Sequence, residues 1–243
     1  MRTITTLGAL LTAAVAAAPG MAGPPYATDD PEPTDLKGWE IYAFVQGTRS
    51  GGSFDGTAGV DLNYGAAPGV QLTATLPIDI VDQGSTRAGA GDLELGVKYR
   101  FLHDRRAGVD VAIFPRLILP TARRGFGTGR VAVLLPVWAQ KDMGPWSLFG
   151  GGGYTINPGA GNRDFWQEGL ALTRTVSPRL SLGAEIIHEG RAAVGETSTT
   201  GLGVGGIRKL KGPWSLLFSA GPAFQHHRDG VLLNGYAALA LDF

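Results

Sequence analysis

The chain ends in a run whose hydrophobic and polar positions alternate. In LLNGYAALALDF, residues 232–243, Leu233, Gly235, Ala237, Leu239, Leu241 and Phe243 share one face, and Asn234, Tyr236 and Asp242 share the other. A period of two with one apolar side marks a strand. The alternation returns upstream. In residues 91–101, Leu93, Leu95, Val97, Tyr99 and Phe101 stand against Asp92, Glu94, Lys98 and Arg100. In residues 69–79, Val70, Leu72, Ala74 and Leu76 stand against Gln71, Thr73 and Thr75. The pattern predicts twelve strands, at roughly 39–48, 56–64, 69–79, 91–101, 108–120, 130–140, 145–155, 165–176, 179–188, 200–209, 213–225 and 231–243. Segments 130–140 and 200–209 are apolar or glycine-rich on both faces, so their parity stays open.

The connections carry a second pattern. Those after even-numbered strands are short, around 65–68, 102–107, 141–144, 177–178 and 210–212. Those after odd-numbered strands are mostly longer and glycine-rich or charged, as at 80–90, 121–129 and 189–199. An even number of strands, short turns at one end and long loops at the other predict an antiparallel, up-and-down transmembrane β-barrel with both termini on the periplasmic side. Ten residues at roughly 3.3 Å each, tilted about 40°, rise about 25 Å, the height of an apolar membrane band. Trp39, Trp146 and Trp214 open odd-numbered strands and Tyr64, Tyr99 and Phe243 lie at the ends of even-numbered ones, so all six fall where a periplasmic aromatic girdle belongs.

The other end of the chain agrees with this placement. Arg2 and the apolar run 7–18 form an export signal, with a cut expected after Ala22. Pro19 and Gly20 follow the run at once, and it is too short to span a bilayer as a helix. Loss of Arg2 turns 21 basic and 21 acidic residues into a net charge of −1. That balance argues against nucleic acid as a partner. The 38 glycines disfavour long helices, and there is no cysteine to staple a small domain.

Residues 23–37, rich in proline and acidic side chains, show no strand pattern. They are expected at or inside the periplasmic mouth, with Asp29, Asp30, Glu32 and Asp35 within reach of Lys98 or Arg100; a disordered tail is the competing expectation. The barrel then begins at residue 38. Its inward faces are expected to carry Glu40, Asp61, Asp92, Glu94, Lys98, Arg100, Asp110, Arg116 and Glu185, with Tyr42, Phe44, Phe114 and Tyr236 among them. Charges of both signs predict a narrow polar lumen rather than a single-sign ion filter. One register across the turn at 102–107 sets Arg100 opposite Asp110 and Glu94 opposite Arg116, two complementary pairs on one face.

Other chemistry finds little support. Gly201, Gly203 and Gly206 satisfy G-x-G-x-x-G, but a turn and another strand follow instead of a helix, so no dinucleotide site is expected. His103, His188, His226 and His227 lack zinc-motif spacing, and no metal or other cofactor is expected. His188 is followed by Glu189 and Gly190, which does not reproduce the histidine–serine pattern of the twelve-stranded outer-membrane phospholipase.

The stretches GPPYATDDPEP at 23–33, Trp39–Glu40, GDLELGVKYRF at 91–101, LPVWAQKD at 135–142 and GGGGYTINP at 150–158 resemble a bacterial family labelled meta-pathway phenol-degradation proteins. The resemblance covers essentially the whole chain after the export signal. It implies an outer-membrane, transporter-like barrel and the uptake of aromatic compounds, and brings no catalytic or binding residues. The terminal Leu239, Leu241 and Phe243 resemble the strand by which the barrel-assembly machinery recognises outer-membrane proteins. The expectation is therefore a bacterial outer-membrane β-barrel, surrounded by outer-membrane lipid and acting as a passive pore for small, perhaps phenol-type, solutes. The alternatives are a non-transporting structural or adhesive barrel and, further off, a lipid hydrolase.

Overall fold

A computed structural model describes residues 25–228 and 230–243; the expected export signal lies outside them. Fourteen strand segments are present among the described residues: β1 (Trp39–Ser50), β2 (Ser53–Ala67), β3 (Val70–Asp82), β4 (Thr86–Ala90), β5 (Leu93–Asp104), β6 (Val109–Ile113), β7 (Arg116–Leu119), β8 (Ala132–Met143), β9 (Trp146–Ile156), β10 (Phe165–Ser177), β11 (Leu180–Glu189), β12 (Thr199–Lys209), β13 (Trp214–Gln225) and β14 (Val231–Asp242). All pairings are antiparallel. β3 pairs with β5 along its first half and with β4 along its second, so β4 and β5 are one interrupted stave. β6 and β7 lie in the same way between β5 and β8. The ring of twelve staves closes where β1 pairs with β14, and the Trp39 and Phe243 backbones exchange two hydrogen bonds at the seam.

The interruption between β6 and β7 has a local cause. Pro115 has no N–H to give to the ladder, and its carbonyl accepts instead from Val97 N at 3.1 Å. Opposite it, a register shift between Arg100 and Leu102 brings Arg100 and His103 onto the same inward face.

Register resolves the two ambiguous segments. In β8, Leu134, Pro136 and Trp138 point inward and Leu135 and Val137 outward; in β12, Leu202 and Val204 face outward and Gly201, Gly203 and Gly205 inward. The expected pairing across β5 and β6–β7 is off by two residues. Arg100 lies opposite Ala112, and Glu94 opposite Ile118. The complementary charges still meet, diagonally, because both side chains of each pair are long enough to span that offset. The stretch 80–90, expected as a long loop, continues β3 and forms β4, leaving only residues 83–85 as the hairpin tip. The first far-end connection is also short, a turn at Gly51 and Gly52.

Outside, large apolar side chains form a continuous band: Leu95, Val97, Leu117, Leu216 and Phe218 are all exposed, with Trp39, Trp146, Trp214, Tyr99 and Phe243 at the end that carries the first and last strand termini. An apolar surface of this extent is untenable in water and natural in lipid. No helix among the described residues is long and apolar enough to cross a membrane, so only the strands can.

Candidate channel lumen

The segment before β1 does not hang from the barrel. It enters at β2, where Lys37 N donates to Gly65 O at 2.7 Å and Leu36 forms a bridge with Gly65. Thr34 then donates from its backbone N to Gln71 Oε1 at 2.8 Å. Asp29 is fully buried, its Oδ1 2.9 Å from Lys98 Nζ and its Oδ2 3.2 Å from Arg116 Nη2. Arg116 also reaches Glu94 Oε1 at 3.3 Å. The Phe114 ring lies under both cations, 4.1 Å from the Arg116 guanidinium carbon and 5.0 Å from Lys98 Nζ. Buried charges are tolerable here because each meets an opposite charge and further donors or acceptors.

The residue before Asp29 is held by the other wall. Thr28 donates from N and Oγ1 to Glu185 Oε2, at 3.0 and 3.1 Å, and Ala27 N donates to Oε1 at 3.2 Å. β5 and β7 form the fourth and fifth staves and β11 the ninth, so these contacts lie on nearly opposite sides of a twelve-stave ring. Thr28 comes this close because Gly169 lies beneath it: a Cβ at Gly169 would stand 2.2 Å from Thr28 Oγ1. Tyr26 packs beyond, its ring 6.1 Å from Phe149 and against Ala171. Residues 26–37 thus form a strap across the lumen.

Between strap and wall remains a cavity of about 70 Å³, lined by Glu40, Tyr42, Asp61, Asn63, Gln71 and Lys98 among others. A cavity that takes benzene has roughly 150 Å³. The wall of the cavity is tied together: Thr75 Oγ1 donates to Asp61 Oδ1 at 2.8 Å, Asn63 Nδ2 to Asp61 Oδ2 at 3.1 Å, and Tyr42 OH to Glu40 Oε2 at 2.9 Å. On the strap, desolvation pushes the Asp30 carboxyl above its usual range; the Lys98 ammonium opposes this and the Asp29 charge adds to it. Glu32 is raised first by desolvation and then by Asp30 and Asp142, against the hydrogen bond from Gln140 and the charge of Arg100.

Of the lumen residues read from alternation, Glu40, Tyr42, Phe44, Asp61, Glu94, Lys98, Asp110, Phe114, Arg116, Glu185 and Tyr236 lie on the inward face, together with Arg100, which holds Asp110 Oδ2 at 3.0 Å. Asp92 is the exception. It sits at the break between β4 and β5, and its carboxylate accepts from Ala122 N, Thr128 N and Thr128 Oγ1 of the far-end loop. Alternation missed it because the strand is interrupted there. Trp138, Leu134 and Phe149, all buried on the inner face, were hidden by the two-sided apolarity of 130–140 and the glycines of 150–153. Leu239, Leu241 and Phe243 lie on the lipid face at the seam.

A closed antiparallel barrel, apolar outside and charged within, defines the class: the fold and lipid-facing band of a bacterial outer-membrane protein. No family model matches the chain, and no curated protein matches it in sequence. Solved structures do. An outer membrane channel from Pseudomonas putida F1 superposes with a TM-score of 0.73 at 15% identity, covering 88% of this chain and 98% of that one. The translocator domain of the autotransporter NalP from Neisseria meningitidis gives 0.57 at 15% identity, over 86% and 90%. The CymD monoaromatic hydrocarbon channel gives 0.51 at 9% identity, over 86% and 89%. Channels and a secretion domain thus share this barrel, and fold alone does not separate their functions.

Proposed function

We infer that the chain is a passive pore of the bacterial outer membrane for small solutes, with the strap 26–37 as its internal constriction. The observation that carries this reading is the placement of Thr28 and Asp29 on opposing walls, held by hydrogen bonds and ion pairs rather than by apolar packing. Such contacts are exchangeable with water, so the strap can leave the wall without exposing a hydrophobic core. A barrel with a purely structural or adhesive role has no use for a charged lumen crossed by a releasable segment.

Aromatic solutes are the class we favour. Tyr42, Phe44, Phe114 and Tyr236 interleave with the lumen charges, and rings give a flat apolar surface beside the hydrogen-bonding groups that a phenol-type hydroxyl needs. The CymD channel named above is a monoaromatic hydrocarbon channel, and the sequence resemblance points the same way. Leu239, Leu241 and Phe243 are proposed as the assembly signal. Planar-bilayer recordings test the pore: the intact protein should pass a small ionic current that phenol reduces while it occupies the lumen, and a protein lacking residues 25–35 should pass a larger one. A barrel silent in both forms overturns the reading.

A further inference from the structure

At the far end of the barrel, opposite the termini, the loops 157–164 and 190–198 lean on each other. Arg163 N donates to Ala192 O at 2.9 Å, Val194 N donates to Gly161 O at 2.8 Å, and Asn162 bridges Ala193. Beneath this contact lies an open cavity of about 260 Å³, lined by Arg163, Asp164, Phe165, Trp166, His188, Gly190, Arg191 and Ser198. Trp166 and His188 belong to the outward parity of β10 and β11, so the cavity opens on the flank of the barrel and not into its lumen.

Its depth is marked by aromatics. Trp166 is 64% exposed and pairs across the ladder with Tyr154, ring centroids 5.0 Å apart. Outward Trp and Tyr at a strand end settle at the membrane interface, as Trp39, Trp146 and Trp214 do at the other end. A group in this cavity therefore meets the headgroups of the outer leaflet. Charge decides which ones. Arg163 and Arg191 make no ion pair or side-chain hydrogen bond to any described residue. The lining carboxylate, Asp164, is already engaged by Asn157 N at 2.8 Å and by the Tyr154 hydroxyl at 3.3 Å. Glu168 lies across from His188 on the same face but outside the lining. His188 uses Nδ1 toward Thr200 Oγ1 at 2.9 Å.

We propose that this cavity is a binding site for the phosphorylated headgroup of an outer-leaflet glycolipid, held by the Arg163 and Arg191 guanidinia with Trp166 beside the sugar ring. Planar guanidinia on two loops fit the tetrahedral oxygens of a phosphate, and an exposed indole fits the flat face of a sugar. The site is independent of conduction, since it lies on the outside wall.

Native mass spectrometry of the detergent-solubilised protein tests it, with lipid A, enzymatically dephosphorylated lipid A and inorganic phosphate as probes. Retention of lipid A is expected, weakened about tenfold, or about 1.4 kcal/mol, in the double variant Arg163→Gln/Arg191→Gln, while the dephosphorylated lipid is not retained. The Arg163→Lys/Arg191→Lys variant keeps charge without the planar fork and should retain an intermediate amount; it carries the comparison if the glutamine variant fails to show the gel shift of a folded barrel. Equal retention of both lipids, or unchanged retention in a folded variant, overturns the proposal. So does displacement of lipid A by millimolar inorganic phosphate, which would make this a site for soluble anions.

Discussion

Asp29 and Lys98 lie 69 positions apart in the chain, and their side chains meet at 2.9 Å with almost no access to solvent. Everything else about the strap follows from that pair. Asp29 also satisfies Arg116, so its carboxylate is shared by two staves that carry two cations and, in Glu94, one further acid.

Asp29→Ala should release the strap and leave the barrel intact. Removing one partner of a buried ion pair costs about 3–5 kcal/mol, enough to turn a docked segment into a mostly free one. Single-channel conductance should rise toward that of the protein lacking residues 25–35, and the folded-barrel gel shift should persist. Unchanged conductance in a folded Asp29→Ala protein would show that the strap does not constrict the pore.

Gly169→Ala should act on the same element from the opposite wall. The new methyl would collide with Thr28 Oγ1, at 2.2 Å from an ideal Cβ. Overpacking of this kind costs roughly 1–3 kcal/mol, here charged to strap docking, since alanine is at least as good as glycine in a strand. Combined with Asp29→Ala, its effect on conductance should be less than additive, because both act on one segment. Full additivity would place the two contacts in separate mobile units.

Acid should tighten the strap. Asp30 and Glu32 are both raised when docked, so the docked state holds their protons more firmly than the released one; their contribution to docking is complete below the ordinary carboxylate range and fades as pH rises through the raised values. Lowering the pH from 7 toward about 5 should therefore reduce current. Asp30 faces Lys98 and Asp29, with Glu40 and Asp61 across the cavity, and Glu32 faces Gln140, Asp142 and Arg100. Because wall groups titrate as well, the measured quantity is the difference between the intact and strap-deleted proteins. A pH response of equal size in both assigns the effect to the wall.

Neighbouring residues of β5 should respond oppositely to polarity. Leu95 faces outward and Glu94 inward. Leu95→Arg should destabilise the barrel by about 2–4 kcal/mol in denaturant titrations from lipid vesicles, whereas Glu94→Gln should fold and change only lumen properties. Single cysteines at 95, 97 and 216 should resist aqueous thiol reagents and, once labelled with a fluorophore in the denatured chain and refolded, be quenched by labelled acyl chains. Fluorophores that lipid-borne quenchers leave untouched would remove the membrane placement.

Much of the wall was legible without coordinates. Alternation at Leu93–Phe101 and Leu233–Phe243, turn chemistry, and aromatics at strand ends determine strand number, inward and outward faces, and a common end for both termini, because each depends on a residue's own backbone period and its affinity for lipid or water. Pairing is another matter. The two-residue offset of β5 against β6–β7 was decided by the Arg100–Leu102 bulge and the Pro115 break, which shift hydrogen bonds without altering which side chains face in. The acidic strap was readable as acidic, and its reach to Lys98 was an expectation, but its path through Thr28 to Glu185 depends on space left by Gly169 on a stave 140 residues away. Local periodicity reports what a residue prefers; only closure of the ring brings opposite walls within reach of consecutive residues, and that distance exists in the tertiary structure alone.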